Sequence, residues 1–211
     1  MPSLQIIGAP QSNFVWACRI ACGEKELPYE LVAVFPHTPE VDAIHPFGKI
    51  PAMRHGEVTL FESRAILYYI DHAFPGAPLA PRDAVGGAQV EQWISAVNTT
   101  IDPVLLRQYG VAYFFPGTPD GSPNRAAIDA VLPKLEPHFA LLDRAVARSG
   151  YLVGDGLTLA DMNLLPLLYY MSKLPESGEM LRAKPNLAGY VERLLARKTI
   201  AETIPPPMPG R

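Results

Sequence analysis

The run Phe74-Pro75-Gly76-Ala77-Pro78-Leu79-Ala80-Pro81 constrains the fold more than any other stretch, because it carries three prolines in eight positions and no hydrophobic period. Proline fixes φ and removes an N–H donor, so neither a helix nor a central strand runs through such a segment. The patterning changes across it. Before it, 4–7 is a short apolar run closed by Gly8-Ala9-Pro10, and 29–34 is rich in strand-forming residues. Between them Phe14, Ala17, Cys18, Ala21 and Cys22 recur at helical spacing. Residues 52–54 and 58–61 flank His55-Gly56-Glu57 as a hairpin. Ile66, Leu67 and Ile70 then mark one helix face. Residues 36–46, rich in Pro, His and Asp, predict no element.

After the break every strong signal is helical. A helix is expected over 87–109, and a second follows the stripe Ile128, Leu132, Leu135, Phe139, Leu142 and Val146. Pro133 and Pro137 lie within that stripe and predict a kink or a late start. Residues 159–171 are apolar almost all round, as in a buried core helix; 187–198 reads as a surface helix and 205–209 as an extended tail. The expected class is α/β plus all-α: a β-α-β, hairpin, α domain over 1–77, a linker at 78–86, and a helical domain over 87–211.

Hydrophobic content of 48% with 18% charged residues describes a globular chain with a core to bury. A net charge of −3, with no basic block, offers nothing to nucleic acid or an anionic membrane surface. The opening Met1-Pro2-Ser3-Leu4-Gln5 lacks the charged and apolar regions of a signal peptide, so the cytoplasm is the expected compartment. Cys18 and Cys22 sit four apart on one helix face as small buried side chains, and His45, His55, His72 and His138 are isolated. No metal site is expected.

Two places carry chemistry. In Pro46-Phe47-Gly48-Lys49-Ile50-Pro51-Ala52, a proline at the first residue of a strand is compatible with a cis bond and leaves Ile50 without an obvious ladder partner, free to bind an extended ligand by its main chain. Just downstream, Glu62-Ser63 opens a helix whose unpaired N–H groups suit a carboxylate, with Glu62 beside them for an ammonium. Together they fit a small zwitterionic peptide. The second place is Ser12, between the first strand and the first helix, where a hydroxyl joins the helix-start N–H groups in favouring an anion. If the anion is a thiolate, each unit of pKa lowering is worth about 1.4 kcal/mol. Asn13 is an equally good donor, so either residue fits the role. Farther on, Thr158 and Asp161 are spaced as a capping box at the start of the buried helix, a structural role.

These pieces, with Glu24-Lys25, Pro28-Tyr29-Glu30, Phe61-Glu62-Ser63-Arg64-Ala65-Ile66 and Gly154 through Asp161, resemble the glutathione S-transferase family in order and spacing over nearly the whole chain. The Ser12 segment is similar to serine-type, bacterial-like members. Trp16, Arg19, Ile20 and Ala21 also echo the maleylacetoacetate-isomerase branch, although Asn13-Phe14-Val15 replaces that branch's Ser-Cys pair. The resemblance implies a thioredoxin-like N-terminal domain, a helical bundle after it, and a homodimer. It implies glutathione as co-substrate, with no other cofactor, lying along Ile50 and a cis Pro51. Lys49 would reach its glycyl carboxylate, and Glu62 and Ser63 its γ-glutamyl end. Ser12 would activate the sulfur for transfer to a small hydrophobic electrophile, as in detoxification. Phe14, Tyr109, Tyr113, Phe114 and Phe115 are candidates for the apolar wall around that electrophile. Glutathione-dependent peroxide or disulfide reduction, isomerisation, and a non-catalytic binding module remain open beside transfer.

Overall fold

The computed structural model describes residues 3–207, which group into two compact units, 3–82 with 196–207, and 83–195.

The first unit is built on strand β1 (Leu4–Ile7), helix α1 (Asn13–Glu24), β2 (Tyr29–Val32), the short α2 (Pro39–Asp42), the hairpin β3 (Ala52–His55) and β4 (Val58–Phe61), and α3 (Ser63–Ala73). The sheet order is β2-β1-β3-β4, with β2 parallel to β1 and the hairpin antiparallel to it. Alternation along β1 sends neighbouring side chains to opposite faces. Ile7, with its ladder partners Ala52 and Val32, packs against Val41 of α2, Ile44 and Ile50. Ile6 and its partner Met53 are both fully buried, as are Trp16 and Ile20 of α1 and Ile66, Leu67 and Ile70 of α3. The element α2 falls where no element was expected. Strand β2 stops at Val32, short of the expected 34, because its partner strand ends there: Gly8, at φ +147°, donates its N–H to Val32 and turns the chain away.

The proline-rich run is tied down. Asp71 of α3 is buried, accepts from the Leu79 N–H at 2.7 Å, and pairs with Lys25 at 3.3 Å and Arg82 at 2.8 Å. Two cations and an N–H compensate the cost of burying that carboxylate.

The second unit holds α4 (Ala84–Ala96), α5 (Val111–Phe114), α6 (Arg125–Val146), α7 (Leu159–Lys173), α8 (Pro175–Arg182) and α9 (Pro185–Leu195). The single helix expected over 87–109 is interrupted. It widens into π-helical turns at Val97–Ile101 and Pro103–Gly110, with the Asp102 N–H bonding the Val97 carbonyl five residues back. Pro103 has no N–H for the regular ladder, and a wider turn accommodates that loss. Helix α6 differs in the other direction. It begins at Arg125, ahead of both prolines, and runs through Pro133 and Pro137, which sit on its exposed side. Helix α7 is the core helix, buried on nearly every side.

At the start of α7 the capping box is present. Asp161 accepts from the Thr158 N–H and hydroxyl, both at 2.9 Å, from the Leu152 N–H at 2.9 Å, and from the Tyr190 hydroxyl at 3.1 Å. Burial pushes this carboxyl above its ordinary value, and the four donors pull it back. Residues 196–207, expected in the helical domain, belong instead with the first unit; they contain α10 (Lys198–Ala201). The expected extended tail reaches beyond the described residues at 208 and 209.

Candidate glutathione site

Ser12 is the N-cap of α1, in extended backbone, and accepts from the Val15 N–H at a long 3.4 Å. It is half-buried, and among the described residues its hydroxyl proton has no internal acceptor. Asn13, its neighbour, is buried at 2% exposure and already engaged. The sequence left these two donors equivalent. The fold separates them, because α1 turns Asn13 inward and leaves Ser12 at the rim.

The Ile50–Pro51 bond is cis. Ile50 precedes β3, and among the described residues its backbone makes no hydrogen bond, while its side chain is held in the core with Val41 and Ala52. Lys49 is exposed beside it. Gly48 is forced: at φ +61° an added Cβ would lie 2.1 Å from the His37 ring. Sequence reasoning missed Gly8 as a functional position. A Cβ there would lie 2.6 Å from Val15 and 2.9 Å from Ile50, so this glycine lets the Ser12 loop close on Ile50. A glycine ending a strand just ahead of a helix was its only sequence signal.

Glu62 is the N-cap of α3, at φ +68° and ψ +119°. That conformation is unfavourable for a residue with a Cβ, and such strain concentrates at ligand sites. The side chain does not cap its own helix, is exposed, and among the described residues makes no hydrogen bond or salt bridge, only a longer-range attraction to His45. A Glu merely favoured in a first turn would sit inside the helix at negative φ. Ser63 follows, buried at 5% exposure, at a helix start whose first N–H groups await an acceptor. His45 is buried and caps the local turn: its Nδ1 accepts from the Phe47 N–H at 3.2 Å, and its ring centroid lies 4.9 Å from that of Phe61.

The aromatic candidates divide. Phe14 is half-buried in the first unit. In the second, Phe114 is half-buried against Tyr170 and Phe115 is 67% exposed. Tyr109 does not fit the expected wall. It has no exposed surface, its hydroxyl donates to Glu176 at 2.9 Å, and it accepts from the Ser177 N–H at 3.1 Å. Tyr113 is nearly as buried and donates to the same Glu176 oxygen. The half-buried Glu176 carboxylate takes both hydroxyls while the rings pack inward. The two cysteines are fully buried, and burial pushes the Cys22 thiol up to about 12 and raises Cys18 as well. Neither is a reactive thiol at neutral pH.

A four-stranded β2-β1-β3-β4 sheet in β-α-β, hairpin, α order is a thioredoxin-like domain. Comparison with known proteins narrows this class. Residues 6–78 match the family model described as glutathione S-transferase, N-terminal domain, and residues 107–198 that of its C-terminal domain. Glutathione S-transferase 3 of Zea mays is 34% identical over 100% of this chain and 99% of its own. Glutathione transferase F7 of Populus trichocarpa superposes with a TM-score of 0.83 at 30% identity, covering 95% of this chain and 99% of that one. A glutathione S-transferase of Methylobacillus flagellatus, solved with GSH bound, gives 0.80 at 26% identity, with 97% and 100% covered. The chain belongs to the glutathione S-transferase family, a family of transferases.

Proposed function

We propose that the protein binds glutathione in its first unit and joins it, through its thiolate sulfur, to a small hydrophobic electrophile. The tripeptide lies extended against the Ile50 backbone, its glycyl carboxylate near Lys49. Its γ-glutamyl carboxylate takes the α3 helix start and Ser63, and its ammonium takes Glu62. The sulfur lies at Ser12. There the thiol proton departs to solvent and the Ser12 hydroxyl donates to the thiolate, which attacks the electrophilic carbon. The S–C bond forms as that carbon's bond to a leaving group breaks, the group departing with the bonding pair. In an addition it forms instead as the electron pair of the carbon's multiple or ring bond moves to the neighbouring atom, which takes a proton from solvent. The protein supplies position and anion stabilisation, and the chemistry belongs to glutathione. Phe14, half-buried in the first unit, is the candidate there for contact with the electrophile.

The observation that carries this reading is the Ser12 hydroxyl, which accepts one weak bond and leaves its proton for a ligand. The buried state of Cys18 and Cys22 favours transfer by the ligand's own sulfur over redox chemistry through a protein thiol. Assembly as a homodimer and a cytoplasmic setting are part of the same proposal and rest on the family resemblance. Among the described residues no helix is long and apolar enough to cross a membrane.

Ser12→Ala tests the central role. Losing one donor to an anion should raise the thiol pKa of bound glutathione by about 1–2 units, with glutathione affinity within roughly threefold of wild type. The thiolate ultraviolet band followed against pH reads the pKa, and calorimetry the affinity. An unchanged pKa with unchanged turnover would refute the role.

A further inference from the structure

Residues 196–207 run beside α1 and are fastened to it at three levels. At the C-terminal end of α1, Glu24 accepts from Arg197 Nε at 3.1 Å and Nη2 at 2.6 Å, and from the Thr199 hydroxyl. Gly23 makes this approach possible, since a Cβ there would lie 3.1 Å from the Thr199 carbonyl oxygen. One turn into α1, the indole N–H of Trp16 donates to the Thr203 hydroxyl at 2.9 Å, and that hydroxyl donates onward to the Ile200 carbonyl at 2.9 Å. Trp16 is wholly buried and Thr203 nearly so. Ahead of the helix, the Gln11 side chain donates to the Pro207 carbonyl at 3.3 Å.

The upper two fasteners bracket Ser12. Gln11 precedes it, and the Trp16 N–H is the one that bonds the Ser12 carbonyl, at 2.9 Å. A continuous chain of contacts therefore runs from Thr203 through the Trp16 ring and backbone to Ser12. A single α1 turn held only by its own ladder frays readily at its end. A buried indole hydrogen bond removes that freedom in the turn whose N–H groups and hydroxyl face the sulfur.

We propose that the 196–207 segment is a working part of the thiolate site, with Thr203 as a positioning residue that sets Ser12 through Trp16. Thr203 touches no reactant; it narrows the range over which the Ser12 hydroxyl points. The proposal rests on the reading that Ser12 holds the glutathione sulfur.

Thr203→Val keeps the shape and removes the acceptor. The expected result is a rise in the bound-thiol pKa of about half a unit to one unit and a fall in kcat at neutral pH of roughly threefold to tenfold, with KM for glutathione within about twofold. Thr203→Ser should restore both values. Trp16→Phe, which keeps an aromatic ring and drops the indole N–H, should reproduce the Thr203→Val shift, and it serves as the test if Thr203→Val does not fold. Ser12→Ala is measured alongside. A pKa that moves in Ser12→Ala but stays at the wild-type value in Thr203→Val and Trp16→Phe, with only the melting temperature lowered, overturns the positioning role and leaves the Ser12 reading intact. A pKa that stays put in Ser12→Ala overturns both.

Discussion

Replacing Glu176 with glutamine isolates one electrostatic contribution to the helical unit. Glu176 opens α8 and accepts from Tyr109 and Tyr113 at one carboxylate oxygen and from Arg125 at the other. Burial alone would raise its pKa; the hydrogen bonds from Tyr113, Arg125 and Tyr109 outweigh that and bring it from 4.5 down to about 2. A carboxyl with a depressed folded pKa contributes stability that is present above its unfolded value and is lost as pH falls through the folded one. The shift corresponds to at most about 3 kcal/mol at neutral pH. The Arg125 side chain is 54% exposed and that of Glu176 23% exposed, so solvent screening reduces the figure; about 2 kcal/mol is the working value. Glutamine keeps an oxygen for both tyrosines but sets its NH2, a donor, against the Arg125 N–H, so the charge and the Arg125 hydrogen bond are lost together. Urea denaturation of wild type and Glu176→Gln should therefore differ by about 2 kcal/mol at neutral pH and by no more than roughly half that near pH ~3. The two curves converge as pH falls. A difference of the same size at both pH values would show that the carboxylate's ionisation is not what holds α8, and the reasoning would fail.

Gly8→Ala should disrupt both the first unit and its ligand site, because the new methyl would lie 2.6 Å from Val15 at a φ of +147°. A cost of about 2–4 kcal/mol and loss of glutathione retention on an affinity column are expected; wild-type stability in thermal unfolding would contradict the close approach. Glu62→Ala should weaken glutathione by about tenfold to a hundredfold in calorimetry while leaving the melting temperature unchanged or higher, since it removes an exposed carboxylate with no hydrogen bond or salt bridge among the described residues. Undiminished affinity would mean that the ammonium binds elsewhere.

Much of the backbone framework of the candidate site was legible in sequence because its signals are local. The cis bond sits at a proline opening a strand, and the two helix starts sit where a strand ends and an apolar period begins. The Thr158–Asp161 pair closes within three residues and was readable for the same reason. Helix interruptions were less legible. Pro133 and Pro137 pass through α6 on its exposed side, while the turns around Pro103 widen, and nothing in the local sequence separates the two outcomes.

Sequence by itself determined the β-α-β and hairpin order before the proline-rich run and the helical character after it. Tertiary structure alone decided that Ser12 rather than Asn13 lies at the rim, that Tyr109 belongs to the core, and that 196–207 returns to α1. The reason is distance along the chain. Trp16 and Thr203 are 187 positions apart, and Tyr109 and Glu176 are 67 apart. A hydroxyl or carboxylate at such separation carries no mark of its partner in the residues beside it. Periodicity and turn chemistry act over a few residues, whereas the pairing of buried polar groups is settled only when packing brings them together and removes water as the alternative.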